Sequence, residues 1–119
     1  MSASKQYNWH KIANSKEELH FHENGMMEIK AGSKSICLTK HNNSLLGCTV
    51  KCPHAGGHLA DGYIDALGNI VCPLHRYKFS LKNGRNVSGE GYFLKTYPVE
   101  IREDGVFVGI EEKNSLFGW

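Results

Sequence analysis

The chain reads as an all-β domain, and three observations carry that reading. Thirteen glycines and only three prolines are spread along 119 residues. Turn signals recur every ten residues or so, with short β-favouring segments between them. Only one stretch carries a helical start signal. The length fits one domain over residues 1–119. A chain of this size buries about two-thirds of the surface its unfolded form exposes, enough for a modest core. The composition, 40% hydrophobic and 22% charged, is that of a globular chain. Apolar runs stop at two or three residues, as in Met26-Met27 and Leu45-Leu46, far short of the ~20 a spanning helix needs. A net charge of +2 is too small a bias to indicate nucleic acid or a membrane surface as partner.

The elements follow in order. Ser15-Lys16-Glu17-Glu18-Leu19 carries a Ser-x-x-Glu pattern, which reads equally as one helical turn or as a polar loop. Glu28 to Ala31 and Ser35 to Lys40 read as strands separated by Gly32-Ser33. Leu45 to Val50 returns from a turn at Asn42-Asn43, residues that tolerate positive φ. In that register facing residue numbers sum to 85, and Cys37 lies opposite Cys48. The pair reads as a cross-strand disulfide or as two packed thiols; a reducing compartment favours the thiols. Asn69 to Val71 and Tyr77 to Leu81 are short strands, and Lys82-Asn83-Gly84-Arg85 is a turn. Leu94 to Tyr97 and the alternating Val99-Glu100-Ile101-Arg102 lead to a hairpin signal at Asp104-Gly105. Val106 to Ile110 returns from it.

Two segments carry chemistry: Cys52-Pro53-His54-Ala55-Gly56-Gly57-His58 and Cys72-Pro73-Leu74-His75-Arg76-Tyr77. Each sets one thiol and one imidazole beside a proline, directly after a strand. Structural zinc sites pair like with like, as C-x₂₋₄-C and H-x₃₋₅-H. Here the pairs are mixed, C-x-H and C-x₂-H. Two mixed loops suit a [2Fe–2S] centre in which both thiolates take one iron and both imidazoles the other. A zinc-binding structural module using Cys52, His54, Cys72 and His75 is the alternative from a different class. The amino end shows no apolar stretch of signal-peptide length, so the cytoplasm is the expected compartment. Four cysteines there read as ligands or buried thiols.

The pattern resembles the Rieske family. The first loop, through Leu59-Ala60-Asp61-Gly62, and the second, through Lys78-Phe79-Ser80-Leu81-Lys82-Asn83-Gly84, look like the cluster loops of soluble Rieske-type ferredoxins. The resemblance covers about residues 45–111, with the cluster-binding part at about 48–82. It implies antiparallel sheets or a partly open barrel bearing a two-loop cluster subdomain. It implies one [2Fe–2S] cluster, with Cys52 and Cys72 on the inner iron and His54 and His75 on the outer. High-potential relatives carry one further Cys in each loop, joined as a disulfide; those positions here look like Gly57 and Leu74. They also aim a Ser and a Tyr hydroxyl at the cluster, where this chain has Tyr77 and Phe79. Fewer donors leave the reduced cluster less stabilised, so a potential of about −150 mV is expected.

The expected role is therefore a one-electron carrier without a substrate site of its own. It would pass electrons from a reductase to an oxygenase or related redox enzyme. The small Rieske subunit of a nitrite-reductase-like complex is the alternative within the family. A redox sensor would need a response partner. The third loop, Ser88-Gly89-Glu90-Gly91-Tyr92, has Glu90 where the family usually places a proline. Lys51, Arg76, Lys78, Lys82 and Arg85 are candidates for a basic rim that steers an acidic partner. His58 reads as a turn histidine and His20 and His22 as exposed strand histidines. The apolar end, Ser115 to Trp119, reads as folded back, in a dimer contact, or frayed.

Overall fold

The computed structural model describes residues 6–53, 56–74, 76–89 and 91–111. Among these residues ten strands make three antiparallel sheets, open at their edges and not joined as one closed barrel. In chain order they are β1 (Tyr7–Ala13), β2 (Met26–Ala31), β3 (Lys34–His41), β4 (Ser44–Thr49) and β5 (Tyr63–Ile64). There follow β6 (Asn69–Val71), β7 (Lys78–Ser80), β8 (Thr96–Tyr97), β9 (Val99–Arg102) and β10 (Gly105–Glu111). One sheet runs β1-β10-β9, the largest β2-β3-β4-β8, and the third β5-β6-β7.

The β3–β4 hairpin forms on two asparagines. Asn42 and Asn43 have φ of 48° and 68°, the left-handed pair that a tight two-residue turn requires. The register follows from that turn, and Cys37 faces Cys48. Both cysteines are buried free thiols. The Cys37 thiol also approaches the Met26 sulfur at 4.0 Å. Burial and the contact with Cys37 keep the Cys48 thiol protonated, the hydrogen bond from its neighbour being the larger cause.

Two expectations need correction, and one strand was not foreseen. That strand, β1, has irregular exposure, and a bulge falls between Lys11 and Ala13. It is held by pairing with β10, with the Trp9 ring over Gly109, where a Cβ would sit 3.1 Å from the indole. Of the two corrections, the first is that the β9–β10 turn is Glu103-Asp104, one residue earlier than the Asp-Gly signal, because Gly105 already pairs with Arg102. Gly105 is needed for another reason: a Cβ there would lie 2.6 Å from the Ala13 carbonyl oxygen. Second, residues 20–22 are not a strand.

At Ser15 to Leu19 the chain makes a short 3₁₀ turn, Lys16–Glu18, without a side-chain cap from Ser15. Glu18 reaches back to Asn14 instead, accepting from its backbone N–H at 2.7 Å.

The main core lies between the four-stranded sheet and β5-β6-β7. Phe79, Met26, Leu59, Ile70, Leu81 and Leu94 fill it, and Cys37, Cys48, Cys52 and Cys72 belong to the same cluster. A smaller core of Ala31, Ile36, Tyr97 and Val108 joins the four-stranded sheet to β1-β10-β9. Truncating Phe79, which is fully buried, to alanine is expected to cost about 3–5 kcal/mol. Alkylation in denaturant without reductant is expected to add label to both Cys37 and Cys48. An intact mass two labels short would show that the pair is bonded.

Candidate metal centre

Two hairpin ends build the site, and they are made alike. Lys51 bridges to His58 across the base of one, and Val71 pairs with Lys78 across the base of the other. Residues 52–57 and 72–77 are the loops between. In each, the cysteine N–H donates to the carbonyl five residues on: Cys52 to Gly57 and Cys72 to Tyr77, both at 2.8 Å. Each loop also needs a left-handed residue, Gly56 at φ 71° and Arg76 at φ 54°. The two cysteines thus occupy equivalent places on separate hairpins.

The loops touch. Gly57 is buried against the second one, and a Cβ added there would lie 3.0 Å from Cys72 Sγ and 3.1 Å from Leu74 Cγ. A side chain at Gly57 would require Cys72 or Leu74 to give way by a few tenths of an ångström. The proposed positions of the additional cysteine pair, Gly57 and Leu74, do face each other, and neither carries sulfur. Cys52 and Cys72 are both buried, at 2% and 0% exposure. Burial raises the Cys72 thiol, the Leu74 N–H aimed at its sulfur lowers it, and the neighbouring Cys52 thiol raises it again.

Such a pair is suited to a metal. A thiol raised by burial, as Cys72 is, needs a cation beside it to be held as a thiolate. The Leu74 N–H is already directed at one sulfur, as sulfur ligands of iron–sulfur centres require. The residues present therefore fit a thiolate-bound iron. His54 and His75, the expected imidazole ligands, lie outside the described residues, as do Glu90 and the segment Ser115 to Trp119.

Outward from the cysteines the described residues are exposed. Pro53, Gly56, Pro73, Leu74 and Arg76 form the outer side of the loops. Of the five basic residues, Lys51, Arg76 and Lys78 are near this end, and Lys78 is 3.8 Å from Asp65. Lys82 and Arg85 belong elsewhere. They follow Ser80, which pairs with Asn69 at the other end of β6 and β7. Tyr77 packs edge-on against Tyr92, with ring centres 6.3 Å apart, and Phe79 is fully buried.

His58 does more than form a turn. It closes the first hairpin and pairs with Glu28 of β2. His20 and His22 are exposed and line one cleft with His58, Glu28 and Asp61. Among the described residues no group of three ligands is arranged to hold a metal there. Asn24, unremarked in the sequence, donates to the carbonyls of Ala60 at 2.7 Å and Gly62 at 3.1 Å. Partners 36 residues apart leave no periodic trace in a single sequence.

The Rieske [2Fe-2S] domain profile matches residues 8–98. The chain belongs to the Rieske [2Fe-2S] domain family, whose members bind a [2Fe–2S] cluster. It is 25% identical over 88 residues to the ferredoxin component of the alkene monooxygenase system of Xanthobacter autotrophicus, covering 73% of this chain and 72% of that one. It is 25% identical over 79 residues to the 3-phenylpropionate/cinnamic acid dioxygenase ferredoxin subunit of Photorhabdus laumondii, covering 66% and 75%. Among solved structures, Sphingomonas yanoikuyae B1 ferredoxin superposes with a TM-score of 0.68 at 20% identity, over 89% of this chain and all (100%) of that one. A chain from the oxygenase–ferredoxin complex of carbazole 1,9a-dioxygenase superposes at 0.71 with 21% identity, over 89% and 96%. These superpositions establish a shared fold.

The Glu28 carboxylate raises the His58 pKa above its ordinary 6.5, chiefly through the hydrogen bond. The stabilisation from this pair is therefore present below pH 6.5 and lost as pH rises through the raised value. The groups are about 40% exposed, which limits the gain to less than about 1 kcal/mol. Denaturant melts of wild type and Glu28→Gln are expected to differ at pH 6 and to converge at pH 9. A constant gap across that range would remove the ionic account.

Proposed function

We propose that this protein is a Rieske-type ferredoxin: a one-electron carrier that takes electrons from a reductase and delivers them to an oxygenase or related redox enzyme. The observation that carries the reading is the meeting of two buried thiols from two equivalent hairpin ends, with exposed Pro53, Pro73, Leu74 and Arg76 outside them. The ferredoxin components among its relatives support it.

In this reading Cys52, His54, Cys72 and His75 hold one [2Fe–2S] cluster, the cysteines on the inner iron and the histidines on the outer. When bound, the cluster supplies a centre that gains and loses one electron. The chain's own residues do the rest. Leu59, Phe79 and the buried Gly57 keep water from the inner side. The Leu74 N–H stabilises sulfur charge at Cys72. Phe79, with no hydroxyl to offer, adds no donor, which favours a potential near −150 mV. That suits delivery to an oxygenase and not oxidation of a quinol. The chain acts as a carrier and has no substrate of its own. The free thiols Cys37 and Cys48 suit a reducing compartment, the cytoplasm.

Exposed Leu74 and Pro53 beside Arg76 give the docking face an apolar centre with a positive edge. Arg76 occupies a left-handed position at φ 54°, where a residue with a Cβ costs roughly 1–2 kcal/mol and glycine does not. Arg76→Gly is thus expected to keep stability within about 1 kcal/mol while removing one charge from the face. Electron transfer to an acidic partner should slow severalfold at low salt and little at high salt. An unchanged low-salt rate would remove the steering role.

The primary test is electron paramagnetic resonance on the dithionite-reduced protein, with iron and acid-labile sulfide counted on the same sample. A nitrogen-coupled signal and about two irons per chain are expected. His75→Ala should lose that signal. A colourless, silent protein with one zinc would overturn the electron-transfer reading in favour of a structural metal module.

A further inference from the structure

The segment His58–Gly62 sets the two cysteine loops against each other. At one end His58 closes the first loop with Lys51, and the Leu59 N–H donates to the Val50 carbonyl at 2.9 Å. At the other end Gly62 lies directly on Val71: a Cβ at Gly62 would overlap the Val71 carbonyl oxygen. Tyr63 then pairs with Val71, the residue before Cys72. The first loop springs from β4 of the large sheet and the second from β6 of the small one. A shift of this segment relative to the large sheet changes the distance between the two cysteines.

Asn24 holds the segment. Its Nδ2 donates to the carbonyls of Ala60 and Gly62, at 2.7 and 3.1 Å. Its Oδ1 accepts from the Met26 N–H at 3.1 Å, at the start of β2, where Met26 is fully buried. Two donors and one acceptor on a single short planar group are what asparagine alone offers here. Aspartate would face two carbonyl oxygens with acceptors only, and glutamine would carry its amide one methylene too far. Glu28, two residues further along β2, adds the ion pair to His58. The bonds of Asn24 are partly buried, so water replaces them poorly, whereas the ion pair is exposed and weak.

We propose that Asn24 is a positioning residue whose amide clamps residues 60–62 to the start of β2 and thereby sets the spacing of Cys52 and Cys72, with Glu28–His58 as a second, weaker point of attachment. The clamp rests on the cluster reading given above, and it extends the functional apparatus to a residue 28 positions before the first ligand in the sequence.

The test compares the intact, cluster-bearing wild type with Asn24→Asp and Asn24→Ala. Val108→Ala, in the separate smaller core, serves as a control for general destabilisation. Each is studied at a temperature where far-ultraviolet circular dichroism shows it folded. Loss of visible absorbance to a chelator is expected to be about tenfold faster in both Asn24 variants. Their reduced paramagnetic signal should be displaced, while Val108→Ala keeps the wild-type signal. Asn24 variants with the wild-type signal, and with loss no faster than in Val108→Ala at matched melting temperature, would overturn the clamp. Should the wild type itself carry no cluster, the proposed function falls on that result alone. The clamp is then read on the same protein from the yield of a Cys52–Cys72 cross-link with a short bismaleimide, which adds one thiol at each end. That yield should drop severalfold in the Asn24 variants, and an unchanged yield would overturn it.

Discussion

Two cysteines twenty residues apart in sequence have to meet inside an apolar site, and the architecture around them follows from that meeting. Neither loop can make the site alone. Each contributes one thiol from a hairpin end whose cysteine N–H is tied to the carbonyl five residues on. The hairpins belong to different sheets, so their relative placement is a tertiary matter. Gly57 decides how close they come, because Cys72 Sγ and the Leu74 side chain occupy the space a Cβ would need. Burial raises the Cys72 thiol, since it opposes charge. The same burial that makes the site costly for bare thiolates makes it selective for a cation that compensates them.

The molecule is consequently polarised along its strands. At one end are the loop surfaces of Pro53, Leu74 and Arg76. At the other are the turns at Asn42-Asn43, Ala66-Leu67-Gly68 and Lys82-Asn83. A count of basic residues near the motifs in sequence puts five around the site. Pairing of β6 with β7 divides them, because Val71 meets Lys78 beside the cysteines while Asn69 meets Ser80 at the far end. Lys82 and Arg85 therefore contribute to the general charge and not to the surface beside the cysteine loops. Among the described residues, that surface sets exposed Pro53, Pro73 and Leu74 beside Lys51 and Arg76.

Local chemistry was legible in the sequence, and long-range geometry was not. The mixed Cys/His segments define their own meaning because few arrangements place a thiol and an imidazole so close, twice. The β3–β4 register was readable because two adjacent asparagines accept positive φ, and a two-residue turn then determines every facing pair. The same logic misplaced the last turn by one residue. There the glycine answers to Ala13 of β1, a contact made across the sheet and invisible in the Asp-Gly pair itself. Strand β1 escaped notice because a bulge interrupts its alternation, and β5 because two residues carry no period. The proposed imidazole ligands, His54 and His75, rest on the motif alone, whereas the structure brings the two thiols of Cys52 and Cys72 together.

Asn24 and Gly57 show why a site of this kind reaches beyond its ligands. A ligand's identity is local: cysteine binds as thiolate wherever it is placed. Its position is collective, and is set by groups that need no affinity for metal. Glycine acts by what it lacks, allowing two loops into contact. Asparagine acts through three hydrogen bonds that join the start of one strand to the return of a loop. Net contributions of about 1 kcal/mol per bond are small beside the whole fold. They act where the return of the first loop meets the strand that leads into the second. An electron carrier gains from that economy. Little reorganisation accompanies a change of charge when the ligand-bearing loops are fixed in advance by residues that take no part in it.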